Sequence, residues 1–277
     1  MYALPYLGGK AAQGPSAGRR IAALLPTDTY AYVEPFAGML GVLLQRDPAP
    51  VEVANDLDRR IFNWWRVLVN SPDELAQRIS NTLYHRAAYE DARDLVDSSD
   101  AMTSAVAVAI ALYQGYTSSL EGRRTWMLTY SSSDSKTIAW NKLPERIQHL
   151  AERVKSVQFE CRPAEEIADV ASRYEDCLMY LDPPYLSAKK HTNSAYGCEF
   201  AAVGEMTEIL RSAKCRVAIS GYNDDWEHLG WERTTFNTHV GVLGEQHQSN
   251  RDYKLRRVDV LWTNFEPKIV EQQELQL

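Results

Sequence analysis

The sequence lacks most of the signals that mark metal, redox or triphosphate chemistry. Its four cysteines, Cys161, Cys177, Cys198 and Cys215, form no C-x-x-C pair. That excludes a zinc ribbon and a dithiol redox motif and suits reduced thiols. The six histidines are scattered, with no H-E-x-x-H, so metal catalysis has no support and no metal is expected. Neither G-x-G-x-x-G nor G-x-x-x-x-G-K-[ST] occurs, so neither a dinucleotide nor a triphosphate is favoured. Internal repeats and low-complexity stretches are absent. No apolar run is long enough to span a bilayer. The opening Met1-Tyr2-Ala3-Leu4-Pro5 carries no basic segment followed by an apolar stretch, so a cytoplasmic protein without a signal peptide is expected. An excess of positive charge is also missing. The formal net charge of −7 argues mildly against nucleic-acid binding. Affinity for phosphates depends, however, on where basic groups lie and not on their sum. Arg19-Arg20, Arg123-Arg124, Lys189-Lys190 and Lys254 with Arg256-Arg257 are local basic clusters, each of which is equally compatible with a solvated face.

What is present is ordinary globular material. The 277 residues are 45% hydrophobic and 24% charged, enough for one large α/β domain or a core domain with one insertion. Tyr30 to Glu34 reads as a strand. It runs into Pro35-Phe36-Ala37-Gly38-Met39-Leu40-Gly41 and an apolar stretch to Leu44, which reads as a glycine turn and a helix. Val51 to Asn55 is a second strand ending at Asp56, with a helix from about Asp58 to Val69. This β-α-β-α order starts a parallel sheet. From Pro72 to about Lys155 the pattern turns helical, with Ala101 to Tyr113 as a buried helix, weak strand signals at Trp126 to Tyr130, and a Gly-, Ser-, Thr- and Arg-rich loop or hairpin from Gly115 to Ser135. Residues 70–155 are therefore read as an insertion, mainly helical, between residues 1–69 and 156–277 of an α/β core. The sheet resumes at Val157 to Cys161, followed by a helix over about Ala164 to Arg173. Cys177 to Leu181, apolar throughout like a buried parallel strand, comes next. A polar loop to Cys198, a helix ending near Ala213 and a strand at Arg216 to Ser220 follow. A C-terminal β-hairpin, Trp231 to Phe236 with Val258 to Asn264, closes the pattern.

Four strand-end motifs carry candidate chemistry. Asp182-Pro183-Pro184-Tyr185 follows the buried strand, and ligands collect beyond the carboxyl ends of parallel strands. The prolines cannot continue the ladder and fix a rigid turn. The Asp182 carboxylate and a proline carbonyl can then accept both hydrogens of a planar exocyclic NH2, and Tyr185 offers an aromatic face for a base. A strand-ending turn with an Asx-type hydrogen bond is the plain structural alternative. Glu34-Pro35-Phe36-Ala37-Gly38 places a glycine in the first βα turn, where nucleotide-like cofactors sit, although a structural turn would look the same. Asp56 stands where an acid can accept both ribose hydroxyls, or merely cap the following helix. Gly8-Gly9-Lys10 alone could be a flexible start with a solvated lysine.

Together, in this order, the four motifs resemble the Dam-like adenine methyltransferases, including many phage DNA adenine methylases. The likeness covers nearly the whole chain, from the aromatic-x-G-G-K start to the tail Val258 to Asn264. It implies a Rossmann-like methyltransferase sheet whose insertion recognises double-stranded DNA, with S-adenosylmethionine as cofactor and a cytoplasmic setting in a bacterial host. Carried over by position, it implies that Tyr6 and Lys10 line the cofactor and base pocket. Glu34 and Gly38 lie under the methionine part, Asp56 binds the ribose, and Asp182, Pro183 and Tyr185 form the catalytic tetrapeptide, with Asp182 also within reach of the cofactor's amino group. Arg123, Arg124, Lys189 and Lys190 are the expected DNA contacts. There are departures: Leu40 stands where the family commonly has glycine, Cys161-Arg162-Pro163-Ala164 lacks the acid often found near the cofactor's adenine, and the insertion does not follow the GATC-reading hairpin. The expected reaction is base flipping followed by direct attack of the adenine amino nitrogen on the methyl group. The same fold acting on RNA adenine or cytosine N4, a protein-amide methyltransferase, and a catalytically silent DNA-binding module are the alternatives. Cytosine enzymes usually carry Ser, and amide enzymes Asn, where this chain has Asp182.

Overall fold

The computed structural model describes residues 1–6, 9–10, 16–115, 120, 125–126, 136–184, 203–222, 225–236 and 259–268. Among them run seven strands: β1 (Ala31–Glu34), β2 (Val51–Asn55), β3 (Gln158–Glu160), β4 (Cys177–Leu181), β5 (Arg216–Tyr222), β6 (Glu232–Phe236) and β7 (Asp259–Thr263). They form one sheet in the order β3-β2-β1-β4-β5-β7-β6. The first five are mutually parallel, and β7 lies antiparallel between β5 and β6, as the C-terminal hairpin required. β1 and β4, adjacent at the centre, are the strands whose ends carry Glu34 and Asp182.

Alternation along the strands divides the interior in two. Tyr32, Ala54, Leu178, Tyr180 and Ala218 face one apolar cluster. Val33, Met179, Leu181, Val217 and Ile219 face the other. The second is closed by α8 (Ala164–Ser172) and by the helix Val203–Arg211, α9 here, through Ala168, Met206 and Leu210. The first is closed by the remaining helices: α1 (Ser16–Leu24), α2 (Arg59–Asn70), α3 (Pro72–Ser80), α4 (Arg86–Leu95), α5 (Ala101–Gln114), α6 (Lys136–Asn141) and α7 (Leu143–Val154). The described part of segment 70–155 is thus mainly helical. Its buried Leu75, Val108, Trp140 and Leu150 belong to the same cluster as the sheet face. Arg153 of α7 reinforces this union. It pairs with Glu52 of β2 at 2.6 and 2.9 Å and donates to the Leu43 carbonyl. No helix among the described residues is long and apolar enough to cross a membrane.

Two local expectations differ from the structure. After Gly38 the chain makes turns and only a short 3-10 segment, Leu43–Gln45, where a helix was expected. Gly38 and Leu40 both take positive φ, +48° and +56°, which no helix accommodates, and Pro48 and Pro50 follow too soon for another start. The helix that covers this turn precedes it. α1 comes so close that a side chain on Gly18 would meet the Gly41 carbonyl oxygen at 2.1 Å. The weak strand signal beyond Trp126 falls largely outside the described residues, and Trp126 itself makes a single antiparallel bridge to Gly115.

The carboxyl ends of three strands are held by Asn55, which is buried. Its amide donates to the Pro35 carbonyl at 2.9 Å and the Arg162 carbonyl at 3.0 Å, and its oxygen accepts from the Arg162 N–H at 2.9 Å. Replacement by Asp keeps the shape but sets a carboxylate oxygen against two carbonyls. Asn55→Asp and Asn55→Ala are each expected to cost about 2–4 kcal/mol in urea unfolding, because buried partners lose their bonds. Wild-type stability in either would show that Asn55 does not hold the strand ends.

Candidate active site

The strand ends bring four of the motifs to one place. Asp182 leaves β4 directly, and Lys10 reaches it from the N-terminal segment. The lysine Nζ lies 2.5 Å from Oδ1 and 2.6 Å from Oδ2. Lys10 is only 3% exposed, so this is a buried, doubly hydrogen-bonded ion pair and not a surface contact. A tight turn, Gly9 N–H to the Tyr6 carbonyl at 2.9 Å, precedes the lysine. It sets the Tyr6 ring against Gly38: a side chain on Gly38 would begin 3.5 Å from that ring and 4.0 Å from Asp56 Oδ2. Pro183 is buried and Pro184 half-buried behind Asp182. Tyr185, Lys189, Lys190, Arg123 and Arg124 lie outside the described residues.

Asp56 is held from two sides. Its Oδ2 accepts the Gly38 N–H at 2.8 Å and its Oδ1 the Asp58 N–H at 2.9 Å. Burial pushes its pKa up to about 6, with the Asp58 charge adding to the rise, while the two amides and Arg60 pull it back. Asp58, not Asp56, caps α2, accepting from the Arg60 N–H at 2.9 Å. The helix-cap reading of Asp56 is therefore taken by its neighbour. Cys161, where an acid was missed in the sequence, is half-buried, and its thiol is pushed up by burial and by the Asp56 charge.

Glu34 is buried beneath these groups. Burial raises its pKa to about 8, helped by the Asp182 charge, although hydrogen bonds from Tyr32 and the Leu43 amide and the charge of Arg46 oppose the shift. The Tyr32 hydroxyl donates to Glu34 Oε1 at 2.7 Å, and the Arg46 guanidinium lies 4.4 Å from the centre of the Tyr32 ring. Tyr32, Arg46 and Trp65 support the site without having been singled out in the sequence. Tyr32 and Glu34 share a strand face at spacing two, which was a usable signal. Trp65 donates its indole N–H to the Gly38 carbonyl at 2.9 Å and stacks on Phe159 at 5.6 Å, and neither contact has a local signature.

The residues fit a nucleoside-type cofactor. Gly38 exposes backbone that a side chain would cover. Asp56 is mainly ionised at neutral pH and retains lone pairs for hydroxyl donors. Glu34 is a buried acid whose ionised form a neighbouring ammonium would favour. Among the described residues no His, Cys, Asp or Glu cluster could hold a metal.

Leu40 shows how tightly the turn is built. It is fully buried yet has φ +56°, a conformation that costs an L-residue about 1–2 kcal/mol. Leu40→Ala should lose about 2–5 kcal/mol through the vacated core. Leu40→Gly should be no worse, reversing the usual order of Ala and Gly, because glycine relieves the backbone. Chemical denaturation of the pair checks this; an alanine variant clearly more stable than the glycine one would rule out strain at this position.

Comparison with known proteins agrees with the geometry. No curated protein sequence matches the chain significantly. The family model of the D12 class N6 adenine-specific DNA methyltransferases matches residues 6–228, a span that runs from Tyr6 past Asp182 and takes in every strand through β5. The chain belongs to this family of DNA-methylating enzymes, whose methyl donor is S-adenosylmethionine.

Proposed function

We propose that this enzyme methylates adenine N6 within a specific sequence of double-stranded DNA, on a base flipped out of the helix, and that Asp182, Pro183 and Tyr185 act on that base. The observation that carries this reading is the buried Lys10–Asp182 pair at the end of β4, beside the Glu34 to Gly38 turn. When bound, S-adenosylmethionine supplies an electrophilic methyl group. Asp56 would hold its ribose, Glu34, Gly38 and Tyr6 its methionine end, and Asp182 would lie near its amino group.

The adenine amino nitrogen is conjugated to the ring and is a poor nucleophile. Asp182 and the Pro183 carbonyl accept its two N–H groups, which localises the lone pair on nitrogen without any covalent enzyme intermediate. Lys10 holds the Asp182 carboxylate in place through both oxygens. Extrusion of the base costs roughly a few kcal/mol. Stacking on Tyr185 returns about 1–3 kcal/mol of it. Residues 70–155 form the target-recognition unit, with Arg123 and Arg124 in the segment enclosed by the Gly115–Trp126 bridge. Lys189 and Lys190 follow the catalytic tetrapeptide and meet DNA beside the flipped base.

Single-turnover methylation of duplex DNA at saturating cofactor tests the chemistry. Asp182→Asn replaces an acceptor with a donor and removes the charge that favours a nitrogen gaining positive character. It should slow transfer about 100- to 1000-fold. Tyr185→Phe should keep much of the rate and Tyr185→Ala should lose it. Wild-type transfer by Asp182→Asn would defeat the mechanism, and a Tyr185→Phe variant as inactive as Tyr185→Ala would defeat the stacking role.

The ribose assignment predicts a pH dependence. The ionised Asp56 accepts hydroxyl hydrogens, so affinity is full above its pKa of about 6 and falls as pH drops through that value. Calorimetry with S-adenosylhomocysteine should show up to about tenfold loss per pH unit below 6. Asp56→Asn should bind more weakly and with no such dependence. A wild-type affinity that stays flat between pH 5 and 8 would remove Asp56 from the ribose site.

A further inference from the structure

A net charge of −7 leaves this enzyme dependent on local positive groups to hold a polyanion. Arg86, the first residue of α4, is exposed. In this chain Arg78 pairs with Glu74 and Arg173 with Asp169 at a spacing of four on their helices, and Arg162, just before α8, pairs with Glu166 at the same spacing. Arg86 has Glu90 at the same spacing, in the same order as Arg162 and Glu166, yet pairs with no carboxylate among the described residues. Its guanidinium instead lies 4.8 Å from the centre of the Trp126 indole, and the Tyr84 ring packs on that indole at 6.2 Å. A planar guanidinium stacked on an aromatic face keeps its in-plane N–H donors available for hydrogen bonds, the arrangement that suits a phosphate oxygen.

We propose that Arg86, stacked on Trp126 in this aromatic platform, grips the phosphate backbone of the DNA. The proposal rests on residues 70–155 being the DNA-facing segment. It adds a contact from α4 to those expected of Arg123 and Arg124. Trp126 is bridged to Gly115, whose carbonyl accepts from the Lys136 ammonium at 2.5 Å. Two residues before Gly115, Tyr113 accepts a hydrogen bond from Arg146, whose guanidinium also lies 4.2 Å from the Tyr2 ring centre. From Tyr2 the chain needs eight residues to reach Lys10 at Asp182, at most about 28 Å. This series of contacts ties the platform to the N-terminal segment that carries Lys10.

Fluorescence anisotropy of labelled duplexes with S-adenosylhomocysteine present, over a range of salt concentrations, tests the idea. Arg86→Ala should bind every duplex roughly 3- to 10-fold more weakly, and its slope of log affinity against log salt should fall by about 0.9. Arg86→Lys should keep the slope but lose part of the affinity. Trp126→Leu should weaken binding through loss of the platform. Wild-type-like binding of S-adenosylhomocysteine by each variant shows that the fold is intact. An Arg86→Ala variant with wild-type affinity and slope would overturn the proposal. So would a loss confined to one base pair, which would make Arg86 a base reader. If wild-type enzyme neither binds nor methylates duplex DNA, the functional reading itself falls.

Discussion

Carboxyl groups at the ends of neighbouring parallel strands are costly to ionise where water is scarce, and this site is built around meeting that cost. Glu34 finishes β1, and Asp56 and Asp182 directly follow β2 and β4. Each is compensated differently. Asp182 receives a whole positive charge from Lys10. Asp56 receives two backbone amides, one of them supplied by the turn that Gly38 makes possible. Glu34 is left a phenol and an amide, and its raised pKa keeps it mostly neutral near pH 7. Three carboxyl groups of one chemical type therefore sit in three different electrostatic settings around whatever enters between them.

Much of this was legible because strand ends announce themselves. Val51 to Asn55, β-branched at alternate positions, and Cys177 to Leu181, apolar throughout, are short runs stopped by Asp56 and Asp182, and the structure gives both strands at those bounds. The hairpin pair at the C-terminal end was readable for the same reason. The connection after β1 was not. Its apolar residues suggested a helix, but Leu40 is apolar because it fills the core beneath a left-handed turn. α1 went unread because its role is to cover a turn that lies later in the chain. Asn55, Trp65 and Arg46 act through backbone carbonyls or a ring far away in sequence, which no local pattern encodes.

The described helices of residues 70–155 share one apolar cluster with the sheet, and α5 is buried along most of its length. Cluster and ion pair together mean that displacement of α7 would be felt at β2 through Arg153 and Glu52. The described helices of residues 70–155 and the sheet whose strand ends carry the carboxyl groups are therefore mechanically continuous, joined by packing.

The pairing of Lys10 with Asp182 spans 172 positions. On a ribosome adding about 5–20 residues each second, the lysine is made some 10–30 s before the carboxylate that it neutralises. β1 likewise waits for β4, its neighbour at the centre of the sheet. The nascent chain thus carries Lys10 before Asp182 exists, and its first strand with only β2 to pair with, while the whole helical segment is being produced. Contacts of such sequence separation form slowly. The centre of this enzyme is consequently among the last parts to become native during synthesis, and the helices, rich in local contacts, have time to assemble first.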